Sequence, residues 1–110
     1  MLSISSVHSY NNNNNNNNYN KGGYSWTPTS APLGYWISIA SDSTGQYLAA
    51  AQAQDAQGNY GPIYTSSSGG NSWFPTPAPR YTWVSITSDS TGQYLAAVSN
   101  QGGIYTSSSG

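Results

Sequence analysis

Two stretches of the chain carry nearly the same order of apolar and polar positions. Trp36 to Ala50, WISIASDSTGQYLAA, matches Trp83 to Ala97, WVSITSDSTGQYLAA, with differences only at Ile37/Val84 and Ala40/Thr87. In each, a run rich in β-branched and aromatic residues meets the polar SDSTGQ and is followed by a second apolar run that opens YLAA. Such runs read as strands, and the Asp-x-x-Gly between them as a tight hairpin in which Gly45 or Gly92 takes positive φ. Two more short strands complete the first unit, PIYTSS and SWFPTP, after which Pro75, Pro77 and Pro79 end the sheet and turn the chain. No segment shows a helical period with caps, so no helix is predicted.

The repetition fixes the domain plan. Trp36 to Trp83 and Trp26 to Trp73 share one offset, 83 − 36 = 73 − 26 = 47, whereas IYTSSSG recurs at 104 − 63 = 41. The second unit therefore lacks six residues between Ala97 and Ile104, and a stretch of variable length between fixed segments reads as a loop. Strict alternation in WISIA puts Trp36 and Ala40 on one face and Ile37 and Ile39 on the other, which implies a strand covered on both sides. Four-stranded units of this length stacked face to face describe a β-propeller, with a solenoid or a sandwich as the alternative. The chain ends on IYTSSSG, while GGYSWTPT at Gly22 to Thr29 matches the continuation that Ser66 to Thr76 has and Gly110 lacks. The expected fold is all-β: two four-stranded propeller-type blades, circularly permuted, completed by strands from neighbouring chains. Residues 1–21 form an N-terminal Asn-rich arm, and 22–110 hold the two units, 36–82 and 83–110 plus 22–29. A fragment of a longer propeller would explain the same cut motif.

Composition narrows the chemistry. Charged residues make up 5%, and the net charge of −1 rests on Lys21, Arg80, Asp42, Asp55 and Asp89, with no Glu. A nucleic-acid partner needs many more cations to neutralise phosphates. With so little repulsion and 14% aromatic residues, self-association is favoured. Cysteine is absent, so neither disulfides nor thiol chemistry enters. No stretch approaches the length of a transmembrane helix, so no membrane partner is expected. MLSISSVHSY lacks the basic and long apolar regions of a secretory signal. The compartment stays undetermined, with an extracellular or cell-surface setting preferred.

Ser66 to Trp73, SSSGGNSW, resembles the Asp-box of the sialidase-type BNR repeat, Ser-x-Asp-x-Gly-x-Thr-Trp. Ser66 takes the Ser position, Gly70 the Gly, Ser72 the Thr and Trp73 the Trp, while Ser68 stands where the Asp belongs. The resemblance extends over residues 22–110 and implies blade architecture, because the box is a folding motif remote from the family's active site. Sialidase chemistry requires an arginine triad, a Tyr/Glu nucleophile pair and an Asp acid, and this chain has one Arg and no Glu. An enzyme is therefore not expected, and no catalytic, cofactor-binding or metal-binding residue is assigned.

The remaining candidates divide between turns and contact surfaces. Asp42 and Asp89 sit at identical turn positions, where capping explains them better than Ca²⁺ ligation. His8 stands among polar residues with no partner for base chemistry. Trp36 and Trp83 are expected between blades, and Trp26 and Trp73 in the box. Tyr35, Tyr60 and Tyr81 lie at loop-like positions, where they suit either a subunit interface or stacking on a sugar. Asn11 to Asn18 is low-complexity, and LSIS places Leu2 and Ile4 on one face of a strand that could be donated to a partner. Two blades leave apolar faces and a strand edge open, so the first expectation is a non-enzymatic module whose partners are other copies of itself, in a ring or a filament. The seam residues are Gly23, Ser25, Trp26, Ile104, Tyr105, Ser107 and Gly110, with Leu2 and Ile4 from the arm. The second expectation is a carbohydrate-binding propeller lectin, with glycans as partners.

Overall fold

The computed structural model of the chain describes residues 22–110. Leu2, Ile4, His8 and the asparagine tract lie outside the described residues. The described part is all-β without helix, as the two antiparallel sheets have the orders β1-β2-β3-β4 and β5-β6-β7. The first sheet comprises β1 (Gly34–Ser41), β2 (Leu48–Asp55), β3 (Ile63–Ser66) and β4 (Phe74–Pro75). The second comprises β5 (Trp83–Ser88), β6 (Leu95–Ser99) and β7 (Gly103–Ser107). Gly22 to Thr29 form no strand, so the fourth strand expected for the second unit is not made within one chain.

Both SDSTGQ hairpins close on their aspartate. The Asp42 carboxylate accepts the amides of Thr44, Gly45 and Tyr47 at 3.2, 2.9 and 3.2 Å and the Thr44 hydroxyl at 2.9 Å. Asp89 repeats the pattern with Thr91 and Tyr94, at 3.2 and 3.3 Å to their amides. Gly45 and Gly92 take φ of 82° and 81°, the left-handed conformation such a turn demands. The TSSSG segment at the end of β3 and of β7 is held alike in both units: the Gln46 side chain donates to the Ser67 carbonyl at 3.1 Å, and Gln93 to that of Ser108 at 3.2 Å.

The six-residue difference lengthens a hairpin arm as well as its loop. β2 runs to Asp55, opposite Gly34, whereas β6 stops at Ser99. The extra arm closes on Asp55, which accepts the amides of Gln57 and Asn59 at 2.9 Å each, with Gly58 at φ 85°.

A β-bulge redistributes the faces of β1. Trp36 pairs with Gln52 and Ser38 with Ala51, so Ile37 is extra and Trp36 moves to the Ile39 side. Strict alternation had placed Trp36 with Ala40 instead. One face of the first sheet now carries Ala40, Ala49, Ala51 and Ile63, and it packs against Trp83, Ile86 and Ala97 of the second to form the core. Across this core the Ser38 hydroxyl accepts the Ile86 amide at 3.2 Å. At one end Gly61 and Tyr81 exchange backbone hydrogen bonds of 3.0 and 3.2 Å, and at the other the Ser43 amide donates to the Ser90 carbonyl at 2.8 Å. Contact runs between β1, β2 and β5, and clefts open between the outer strands, so the pair of sheets is wedge-shaped.

Candidate functional site

Positions equivalent by sequence differ sharply in environment. Trp83 is fully buried, but Trp36, its counterpart, is only half-buried on the outer face of the first sheet. Ile86 is 1% exposed and Ile39 54%. Each tryptophan keeps the same edge-on aromatic neighbour, Trp36 against Tyr64 and Trp83 against Tyr105, both with ring centroids 5.6 Å apart. Trp36 also lies 6.4 Å from Trp73. A shallow apolar depression of about 540 Å³ follows, with Trp36, Ile39, Leu48, Ala50 and Trp73 in its lining and Thr29 and Ala31 at its border. Within one chain Trp36 does not sit between sheets: among the described residues the neighbouring sheet lies on the opposite face, and Trp36 is covered only in part, by Tyr64, by Trp73 and by the Pro32 carbonyl, to which its indole donates at 3.1 Å.

Of the seam residues, all those described are exposed. Trp26 is 85% exposed, its indole donating to the Gly23 carbonyl at 3.1 Å, unlike its repeat counterpart Trp73, which lies against Trp36. Ser25 lies beside it on the surface. Ile104 is 75% exposed, whereas its counterpart Ile63 is 6% exposed. Tyr105 donates its hydroxyl to that of Tyr81 at 3.0 Å. That hydrogen bond, then burial, raises the Tyr105 phenol above its usual range. Ser107 accepts the Ser109 amide at 3.4 Å, and the Gly110 amide donates to the Gln93 carbonyl at 2.8 Å. The two halves of the cut motif, Gly23 to Trp26 and Ser107 to Gly110, are not paired with each other in one chain.

In Ser66–Trp73 two serine hydroxyls hold the turn. That of Ser68 accepts the Ser72 amide at 3.0 Å and bonds the Ser72 hydroxyl at 3.1 Å, while Ser66 accepts the Gly70 amide at 2.9 Å. Two neutral hydroxyls thereby hold a turn that a carboxylate would hold more strongly.

The three tyrosines proposed from sequence do not form one site. Tyr35 and Tyr60 both pair with Gln54 and are 66% and 62% exposed, so they share a sheet end. Beside them Arg80 donates to Asp55 at 3.3 Å and to the Tyr60 carbonyl at 3.1 Å. Tyr81 instead packs edge-on to Trp83 at 5.7 Å. A cleft of about 550 Å³ between the sheets brings together Tyr47, Phe74, Thr65, Ser67 and Gln93. Tyr47, Phe74, Thr65 and Gln93 carry no separate signal in the sequence, whereas Ile39, expected with Ile37 on a covered face of the strand, is exposed while Ile37 packs against the core; the repeat offset pairs Ile39 with the buried Ile86.

Titration falls on the turns. At Asp42 burial pushes the carboxyl up, but the Thr44 hydroxyl and the amides of Tyr47, Gly45 and Thr44 prevail and hold it below the usual value. Asp89 is lowered by the equivalent donors against its own burial. Asp55 is lowered first by the Asn59 amide, with Gln57 and Arg80 adding to it. Each carboxylate is occupied in its own turn, and among the described residues no three acidic, His or Cys side chains gather into a metal-binding group. No protein-family model, curated protein or solved structure matches the chain.

Proposed function

We propose that the chain is a non-enzymatic, self-assembling structural module, built of two propeller-type blades that neighbouring copies complete in trans. One observation supports this reading: the second sheet ends at β7 with all five residues exposed, while Gly22–Thr29, the sequence that matches its expected fourth strand, lies outside both sheets. In the first sheet Phe74 and Pro75 pair with Thr65 and Tyr64. By the repeat offset Thr27 and Pro28 are their counterparts, and Thr106 and Tyr105 are the strand they fit. Addition of such a strand satisfies open backbone groups along β7 and covers Ile104 or Trp26, which water now surrounds. The likeness of Ser66–Trp73 to the BNR box supports the blade reading.

Deletion of Ile104–Gly110 removes the acceptor strand. Multimers of the intact chain are expected to fall apart on this truncation, as read by sedimentation velocity, and unchanged multimers would contradict strand completion at β7. A carbohydrate-binding role is the second reading, favoured by the cleft that sets Tyr47 and Phe74 beside Gln93 and hydroxyl side chains. Glycan-array and calorimetric titration test it, and absence of binding removes it.

A further inference from the structure

The chain contains one worked example of how its sheets stack, and it leaves both halves of that contact repeated on its outer surfaces. Inside the chain, Trp83 and Ile86 of the second sheet press on Ala51 and Ile63 of the first. By the 47-residue offset, Trp36 and Ile39 repeat the pressing residues on the uncovered face of the first sheet. Val98 (98 − 51 = 47) and Ile104 (104 − 63 = 41) repeat the receiving residues on the uncovered face of the second. The polar detail is repeated too, since Ser85 is the counterpart of Ser38, whose hydroxyl accepts the Ile86 amide at 3.2 Å.

We infer that the occupant of the Trp36/Ile39 face is a second copy of this chain, stacked head to tail so that its Ser85/Val98/Ile104 face receives Trp36 and Ile39. The inference rests on the self-assembly reading and adds which surfaces meet and in what order. Two observations favour this occupant over an unrelated one. The incoming residues are identical in type to the pair already buried inside the chain, Trp and Ile at the same spacing. The receiving face differs mainly by Thr87 for Ala40 and Val98 for Ala51, which adds volume but no charge. Linker length agrees with the strand exchange as well: Trp26 precedes Trp36 by ten residues, as Trp73 precedes Trp83. A copy that donates Gly22–Thr29 to β7 therefore brings its own first sheet to the same place relative to the acceptor that β5–β7 take relative to β1–β4. Such a contact is heterologous, because two different surfaces meet.

Absence of cysteine makes a clean test possible. Ile39→Cys and Ser85→Cys chains, distinguishable by mass, are prepared separately, mixed and treated with a short thiol-to-thiol reagent, their folding being checked by circular dichroism. Head-to-tail stacking predicts cross-linked pairs of one Ile39→Cys and one Ser85→Cys chain, several-fold more abundant than pairs within either variant alone. Predominant Ile39→Cys homodimers would overturn the order of stacking by showing a symmetric contact, while self-assembly stands. Multimers by sedimentation without any cross-link would likewise overturn the contact alone. A folded monomer without cross-links would overturn both the contact and the self-assembly reading beneath it.

Discussion

Ile39 and Ile86 hold the same position in their repeats, yet one is 54% and the other 1% exposed. Substitution should separate them. Ile86→Ala removes methyl groups from a packed core and is expected to cost about 2–5 kcal/mol of folding stability. Ile39→Ala should leave denaturant unfolding of dissociated chains within about 1 kcal/mol of wild type, because the side chain is half in water, while weakening association. Paired unfolding and sizing curves check both. The turn aspartates give a pH dependence of known sign. Their folded values are lowered, so the stability they add is present above the unfolded value of about 4 and is lost as pH falls through the folded values. Stability is expected to be flat from about pH 5 to about pH 9, to decline below about pH 4, and to decline again above about pH 10, where the Tyr105 phenol, raised in the fold, favours the unfolded chain. An Asp42→Asn, Asp89→Asn chain should show a shallower acid decline in chemical denaturation measured at each pH.

At the scale of elements, the hairpins were legible because Asp-x-x-Gly encodes its turn locally, and the same signal at Asp55–Gly58 closes the longer arm. What hid that arm was its composition. AQAQD does not look like a strand, and it becomes one because Gln52, only 1% exposed, is placed under Gly34, with its amide 3.4 Å from the Leu33 carbonyl. The bulge at Ile37 was equally unreadable, since extra residues in a ladder leave no compositional mark, and it decides which face Trp36 joins. Gly22–Thr29, expected to be the fourth strand of the second sheet, form no strand in one chain, and a pairing partner remote in sequence leaves no local signal to read. The link between sheets is itself testable. A Cβ on Gly61 would stand 1.8 Å from the Gln52 carbonyl oxygen, where backbone must shift. Gly61→Ala should therefore destabilise the fold by about 1–3 kcal/mol. Gly22→Ala meets nothing within 4 Å and is the neutral control. Thermal unfolding of both variants gives the comparison.

For the whole molecule, the balance between buried and exposed apolar groups points outward. Among the described residues eight hydrophobic side chains are buried, and five of these are alanines, so Ile63, Trp83 and Ile86 supply most of the core. Meanwhile Trp26, Leu33, Ile39, Phe74 and Ile104 are more than half exposed. A core this thin gives one chain little margin, and covering the outer faces would add stability that depends on concentration. Stacked head to tail as proposed, copies would carry the wedge between the sheets round in one direction, which curves the row toward a ring rather than a straight fibre. The most direct measurement is sedimentation velocity of the intact chain over a wide dilution series, with circular dichroism at each concentration. Assembly in trans predicts multimers of integral chain number that lose both mass and strand signal on dilution. A single-chain species that stays fully folded up to the solubility limit would contradict it.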